Sequence, residues 1–268
     1  MRGLPPTFVS TPRLRRHGGV NEVGERPIPE ETPVAIVHDA TTTAVMMATP
    51  ADLEDFAVGF SLTEGIIADP GELTSMETVA SGTGIEVRAW LRSDRSAALA
   101  ARRRTLAGPT GCGLCGIDSL SEAARAPRRV GEAVRLESAQ IVAALEALTA
   151  AQALGMRTRA VHAAGWWSST DGLTAIREDV GRHNALDKLV GALARRNAAP
   201  ASGVLILTSR ISVEMVQKAA AFGAEILIAV SAPTALAVRT AQEAGMTLVA
   251  IARQDGFEVF TRHDRIVL

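Results

Sequence analysis

The sequence predicts an α/β protein, with a three-layer α/β domain in the C-terminal half and a smaller α+β domain before it. Three observations carry this. Beyond residue 200, the apolar runs 204–208, 226–230 and 248–251 alternate with the helical segments 212–222 and 234–244, closed by Gly223 and Gly245. Runs of that kind between helices indicate parallel strands covered on both faces. Before residue 107, paired apolar runs flank segments of helical period, the mark of a mixed α+β unit. A length of 268 residues, 47% of them hydrophobic, with mean hydropathy +0.16, supplies one large or two medium cores.

Residues 1–31, rich in Pro, Gly and Arg without apolar periodicity, are expected as a mobile arm or an early edge strand. Residues 33–38 and 43–48 form a hairpin around Asp39-Ala40-Thr41-Thr42. Thr49-Pro50-Ala51-Asp52 has the form of a helix start, with a threonine cap, a proline first and an acid three after the cap. Leu53, Phe56, Ala57 and Phe60 then share a face, and Gly65 ends the helix. Residues 77–81 and 85–91 pair across Gly82-Thr83-Gly84, and 94–106 is a helix bearing Arg102, Arg103 and Arg104. Residues 32–107 thus make the N-terminal domain, and 108–135 a cysteine-bearing connection.

The domain 136–268 opens with a helix capped by Ser138, its face Ile141, Leu145 and Leu148, closed by Gly155. A strand over 158–163 leads to a hairpin of 166–168 and 173–177 across Asp171-Gly172. A helix over 180–193 precedes the strand–helix alternation, and a hairpin strand, 257–261, closes the chain.

A net charge of −1 and a pI near 6.5 give no global pull toward nucleic acid or an anionic membrane. No stretch is apolar enough to span a bilayer and no leader pattern stands at the start, so a cytoplasmic protein with reduced thiols is expected.

In open parallel sheets, ligands bind beyond the carboxyl ends of the strands. Those ends read Thr208-Ser209-Arg210, Ser231-Ala232-Pro233-Thr234 and Arg253-Gln254-Asp255-Gly256. The first two open helices and suit a phosphate, while the third suits a purine edge or ribose. Each loop alone reads as ordinary capping residues and a surface arginine; three meeting at one rim read as a ligand site. The phrase from Glu178 to Lys188 is dense in polar groups. There Arg182 or His183 could hold a phosphate, or His183 carry a proton. A capped amphipathic helix with Ala185, Leu186 and Leu189 inward accounts for it equally. His38, His162 and His263 have no metal-ligand spacing, and His17 lies in the arm.

The only two cysteines stand in Gly111-Cys112-Gly113-Leu114-Cys115-Gly116. Three chemistries use C-x-x-C. A zinc site needs about four ligands; one pair per chain argues against it, unless a symmetric dimer pools two. A disulfide oxidoreductase places the pair at a helix start after a strand, whereas here Gly108-Pro109-Thr110-Gly111 leads into it. Sulfur transfer fits the glycine setting, which lets a thiolate meet donor and acceptor in turn. Arg102, Arg103, Arg104 and Arg125 could lower the thiol pKa.

The cysteine phrase, Asp179-Val180-Gly181-Arg182-His183-Asn184-Ala185-Leu186-Asp187-Lys188 and Ser209-Arg210-Ile211-Ser212-Val213-Glu214-Met215-Val216-Gln217-Lys218 resemble signatures of the formate dehydrogenase accessory sulfurtransferase family. Phe60-Ser61-Leu62-Thr63-Glu64-Gly65-Ile66-Ile67 resembles a fourth, and the likeness runs from about Glu31 to the end. The resemblance implies a sulfur carrier that takes sulfur from a cysteine desulfurase and passes it to the molybdenum cofactor, Mo-bis(molybdopterin guanine dinucleotide), before insertion into formate dehydrogenase. By that likeness Cys112 holds the persulfide and Cys115 assists, with no intrinsic metal. The cofactor, as bound substrate, is implied at Ile251, Ala252, Arg253, Gln254, Asp255 and Gly256 by position, beside Ser209 and Arg210 of the rim chosen above. A homodimer is an expectation from the resemblance alone.

The resemblance also implies a C-terminal domain similar to the cytidine deaminase fold. Zinc deaminases need H-x-E and P-C-x-x-C. This chain has His162-Ala163-Ala164, and Thr110-Gly111 before Cys112, so it lacks the proton-shuttling glutamate. Two other function classes remain: a chaperone that only holds the cofactor for the dehydrogenase, and a disulfide reductase.

Overall fold

The computed structural model describes residues 3–106 and 126–268. Strands β1 (Phe8–His17) and β2 (Val20–Pro29) form a two-stranded antiparallel ribbon turning at Gly18 and Gly19, both with positive φ. A two-stranded ribbon thus stands where a mobile arm or an early edge strand was expected. It shows no burial pattern because Leu14, Val20 and Val23 stay exposed at 68%, 68% and 84%. Its base is tied by Arg26, which donates to the Thr158 carbonyl at 3.1 Å, and by Arg157 over the Phe8 ring.

A four-stranded sheet follows, built of β3 (Thr32–His38), β4 (Thr41–Ala48), β5 (Leu73–Ala80) and β6 (Ile85–Leu91) in the order β4-β3-β6-β5. Positive φ at Asp39 and Ala40 makes the tight β3–β4 turn. Helices α1 (Leu53–Thr63) and α2 (Ser93–Leu106) cover one face, where Phe56, Ala57, Phe60 and Leu99 meet Val34, Ile36 and Val87.

The rest of the chain builds a six-stranded sheet and a short parallel pair of β7 with β14. The elements run β7 (Leu136–Glu137), α3 (Ser138–Ala151), α4 (Ala153–Thr158), β8 (His162–Ser168), β9 (Gly172–Asp179) and α5 (Arg182–Arg195). Then come β10 (Val204–Leu207), α6 (Val213–Phe222), β11 (Ile226–Ala229), α7 (Ala235–Ala244), β12 (Thr247–Arg253), β13 (Gly256–Thr261) and β14 (Ile266–Val267). The order is β13-β12-β11-β10-β8-β9, with β10, β11 and β12 parallel and the others antiparallel to their neighbours. Alternate strand residues face opposite cores. Leu205, Leu207, Leu227 and Ala229 meet α5, α6 and α7, whereas Val204, Ile206, Ile226 and Ile228 meet α3. The sheet is therefore mixed and covered by helices on both faces.

Three local expectations need correction. Glu137, not Ser138, caps α3, in a reciprocal box with Gln140; α3 ends at Ala151, and Gly155 lies inside α4. Residues 162–168 are one strand, starting where the shorter strand over 158–163 was expected to end. Asp52, not Thr49, precedes α1, with φ of 53° and no capping bond, and the Thr49 hydroxyl accepts from the Val180 N–H instead.

The two halves interlock where α1 crosses α5. A Cβ on Gly59 would lie 1.7 Å from the Asp187 carbonyl oxygen, and one on Gly191 1.9 Å from that of Asp55. Only glycine allows backbones this close. Leu62 touches both cores, so α1 and α5 form the middle layers between the two sheets.

Candidate functional site

The polar phrase that starts α5 builds much of the junction. Asp179, fully buried at the end of β9, accepts from Lys188 Nζ at 2.6 Å and from the backbone N–H of Thr49 and Gly181. Lys188 Nζ also donates to the Thr49 carbonyl, and Thr49 Oγ1 accepts from the Val180 N–H. Lys218, from α6, reaches both Asp187 carboxylate oxygens, Glu64 and Thr63. Phe56 and Phe60, one turn apart on α1, each receive a lysine ammonium 5.6 Å from the ring centroid. Both lysines of the chain are thus spent at this junction. Burial lowers the Lys188 pKa; for Lys218 burial also lowers it, but Asp187 and Glu64 outweigh that and raise it.

Above this floor lies the rim at the carboxyl ends of the parallel strands. The loops after β10 and β11 run side by side, joined by an Ile211–Pro233 bridge, and Ile251 N–H donates to the Ser231 carbonyl. Ser209 is buried and its hydroxyl donates to the Arg210 carbonyl, while Arg210 is exposed. In the third loop, Arg253, Gln254, Asp255 and Gly256 are exposed and Ile251 is half-buried. Ala252 is 1% exposed in the core facing α3, so its side chain does not reach the rim. Ile251 has φ of 51°, costly for a β-branched residue, and marks a bulge between Ala250 and Arg253. The bulge shifts the alternation by one residue.

The sheet order adds residues to this rim that the sequence reading did not gather. Because β8 lies antiparallel beside β10, its first residue, His162, stands next to the end of β10, and it pairs with Asp179 of β9. Arg182 and His183 follow at once. His183 Nε2 lies 3.9 Å from Glu214, which accepts from the Ser212 hydroxyl. Burial, then Arg182 and Lys218, push His183 down to about 4; burial and then Arg182 also lower His162. Both imidazoles are neutral near pH 7. Among the described residues, Arg182 Nε and His183 Nε2 are buried atoms without a hydrogen-bond partner. None of Arg182, Arg210 and Arg253 forms an ion pair among the described residues. An unmet guanidinium N–H, an unmet imidazole nitrogen and guanidiniums without ion pairs fit a phosphorylated, heteroaromatic guest.

Cys112, Cys115, Arg125 and the side chains of Arg102, Arg103 and Arg104 lie outside the described residues. Among the described residues there is no cluster of metal-ligating side chains, and no helix is long and apolar enough to cross a membrane.

Fold and rim together define a mixed α/β protein of two interlocked sheets with an open-sheet edge. Within that class the chain belongs to the FdhD/NarQ family, whose model matches residues 29–267. It is 53% identical over 251 residues to a protein of Agrobacterium fabrum named sulfur carrier protein FdhD, covering 93% of each chain. A protein of the same name from Brucella abortus is 49% identical, covering 94% of each chain. A crystal structure of a candidate formate dehydrogenase accessory protein from Desulfotalea psychrophila superposes with a TM-score of 0.77 at 26% identity, over 98% of this chain and 100% of that one. The ribbon strands fall almost wholly before the family match.

Proposed function

We propose that this protein is a sulfur carrier of the cytoplasm that moves sulfur from a cysteine desulfurase onto Mo-bis(molybdopterin guanine dinucleotide) ahead of its insertion into formate dehydrogenase. One observation carries the reading: a sole cysteine pair in a glycine-framed C-x-x-C, in a chain whose relatives bear the name sulfur carrier. The Cys112 thiolate attacks the outer sulfur of the desulfurase persulfide; the desulfurase thiolate leaves and Cys112 carries the sulfane sulfur. Cys115 thiolate then attacks the inner Cys112 sulfur, giving a Cys112–Cys115 disulfide and hydrosulfide. The dithiol is oxidised by two electrons as the sulfane sulfur is reduced, and a thiol reductant resets the pair. The hydrosulfide would displace an oxygen ligand of the molybdenum in the bound substrate, and that oxygen would leave as hydroxide. The loop from Ile251 to Gly256, with Ser209 and Arg210, takes the guanine nucleotide end. Arg210 and Arg253, without ion pairs among the described residues, support this assignment, and Ala252 contributes backbone only.

Intact-protein mass after incubation with a cysteine desulfurase and cysteine tests the central step. The expected result is a gain of one sulfur, removed by reductant and absent from Cys112→Ala. A protein that never gains sulfur, yet still supports formate oxidation as Cys112→Ala, would instead be a chaperone that only holds the cofactor.

A further inference from the structure

The rim is longer than the loop assigned to the nucleotide. From β12 to His162 at the start of β8 is three strand spacings, roughly 14 Å, and to the end of β9 four, about 19 Å. A guest built of base, ribose, diphosphate and pterin in a row outreaches one short loop when extended. The far end of the rim holds Arg182, His183 and His162, with Glu214 beside them. Arg182 Nε and His183 Nε2 there are shielded from water and have no hydrogen-bond partner among the described residues. Leaving such groups unmet is costly, so each is met by water or by a guest, and a guest that displaces the water must offer matching polar atoms. Below them Lys218 and Asp187 form a hydrogen-bonded floor.

We infer that Arg182, His183 and His162 form a second subsite, which receives the pterin–dithiolene end of the guest while the loop after β12 holds its guanine nucleotide. This rests on the proposed assignment of that loop. A pterin presents a carbonyl, ring nitrogens and an amine along one edge, a donor–acceptor pattern that a guanidinium beside two neutral imidazoles can match. The subsite places the metal-bearing end over the start of α5, at the opposite end of the rim from Arg253.

Two probes on the full-length protein test this: guanosine diphosphate and purified molybdopterin guanine dinucleotide, each titrated calorimetrically under anaerobic conditions. Arg182→Gln and His183→Gln are expected to keep guanosine diphosphate affinity within about twofold, which also reports an intact fold, and to lose roughly tenfold or more for the dinucleotide. Arg253→Ala should weaken both probes. Wild-type dinucleotide affinity in both Arg182→Gln and His183→Gln, or a wild type that binds the dinucleotide no better than guanosine diphosphate, overturns the second subsite and leaves the nucleotide loop standing. If the wild type binds no guanosine diphosphate, or Arg253→Ala binds it unchanged, the loop assignment itself has failed and the inference goes with it.

Discussion

At the scale of single residues, the junction uses charges that are costly to strand. Lys188 and Asp179 are both wholly buried, and Asp179 also holds two backbone N–H groups and Asn184. Lys188→Met leaves that carboxylate without its counter-charge, and a loss of about 3–5 kcal/mol is expected in denaturant unfolding; under about 1 kcal/mol would show that the pair is not what holds Asp179. The rim histidines make a separate prediction. His183 falls from 6.5 to about 4 on folding, by burial first and then by Arg182 and Lys218. Between those values the unfolded chain binds more protons than the folded one, so stability falls as pH drops from 6.5 toward 4. Asp94 and Asp264, held at about 2 by Arg92 and Arg262, lose their contribution only at lower pH. Melting temperature should therefore fall less in His183→Gln than in wild type between about pH 7 and about pH 4.5. Equal slopes would mean that the imidazole is not shielded as described.

At the scale of elements, the α1–α5 crossing is the least forgiving contact. Gly191→Ala drives a methyl into the Asp55 carbonyl, backbone against backbone with no side chain to give way. A loss of about 3 kcal/mol or more, or no folded protein, is expected, while Gly24→Ala, with open space around it, should stay within about 0.5 kcal/mol. Nothing in the sequence marks Gly59 and Gly191 as partners, since each sits in an ordinary helical pattern. What could be read was whatever local sequence determines: the β3–β4 hairpin, α1, the β5–β6 pair and the alternation from β10 to β12 all form, with β3, β6 and α1 burying a face and β10 and β11 buried on both. What could not be read depended on distant partners. Thr49 looks like a helix cap because of Pro50 and Asp52 after it, but its hydroxyl accepts from the Val180 N–H of the other half. For the ribbon the sequence left an arm and an edge strand equally open, because neither face of the ribbon is deeply buried. The rim loops were legible from the rule for parallel strands. Bringing His162 and Arg182 onto the same rim required the antiparallel insertion of β8 and β9 beside β10, which chain order does not reveal.

At the scale of the whole molecule, the two sheets are not hinged modules. Between them lie two helices in backbone contact, two buried lysine ion pairs and the arginine pairs of Arg177 and Arg195 with Asp55. Little of that could be hydrated without exposing both cores, because α1 and α5 each serve as the cover of their own sheet. Separation and unfolding are then the same event, and the protein should lose structure in a single cooperative transition despite having two sheets. The three tryptophans allow a direct check: Trp90 stands in β6 of one sheet, Trp166 and Trp167 in β8 of the other. Fluorescence of a variant keeping only Trp90 and of one keeping only Trp166 and Trp167 should give coincident midpoints and slopes in denaturant, after allowance for each variant's stability by circular dichroism. Two separated transitions would show that the sheets come apart before they melt. The α1–α5 seam would then be a joint, and the floor beneath Arg182 and His183 would move with it.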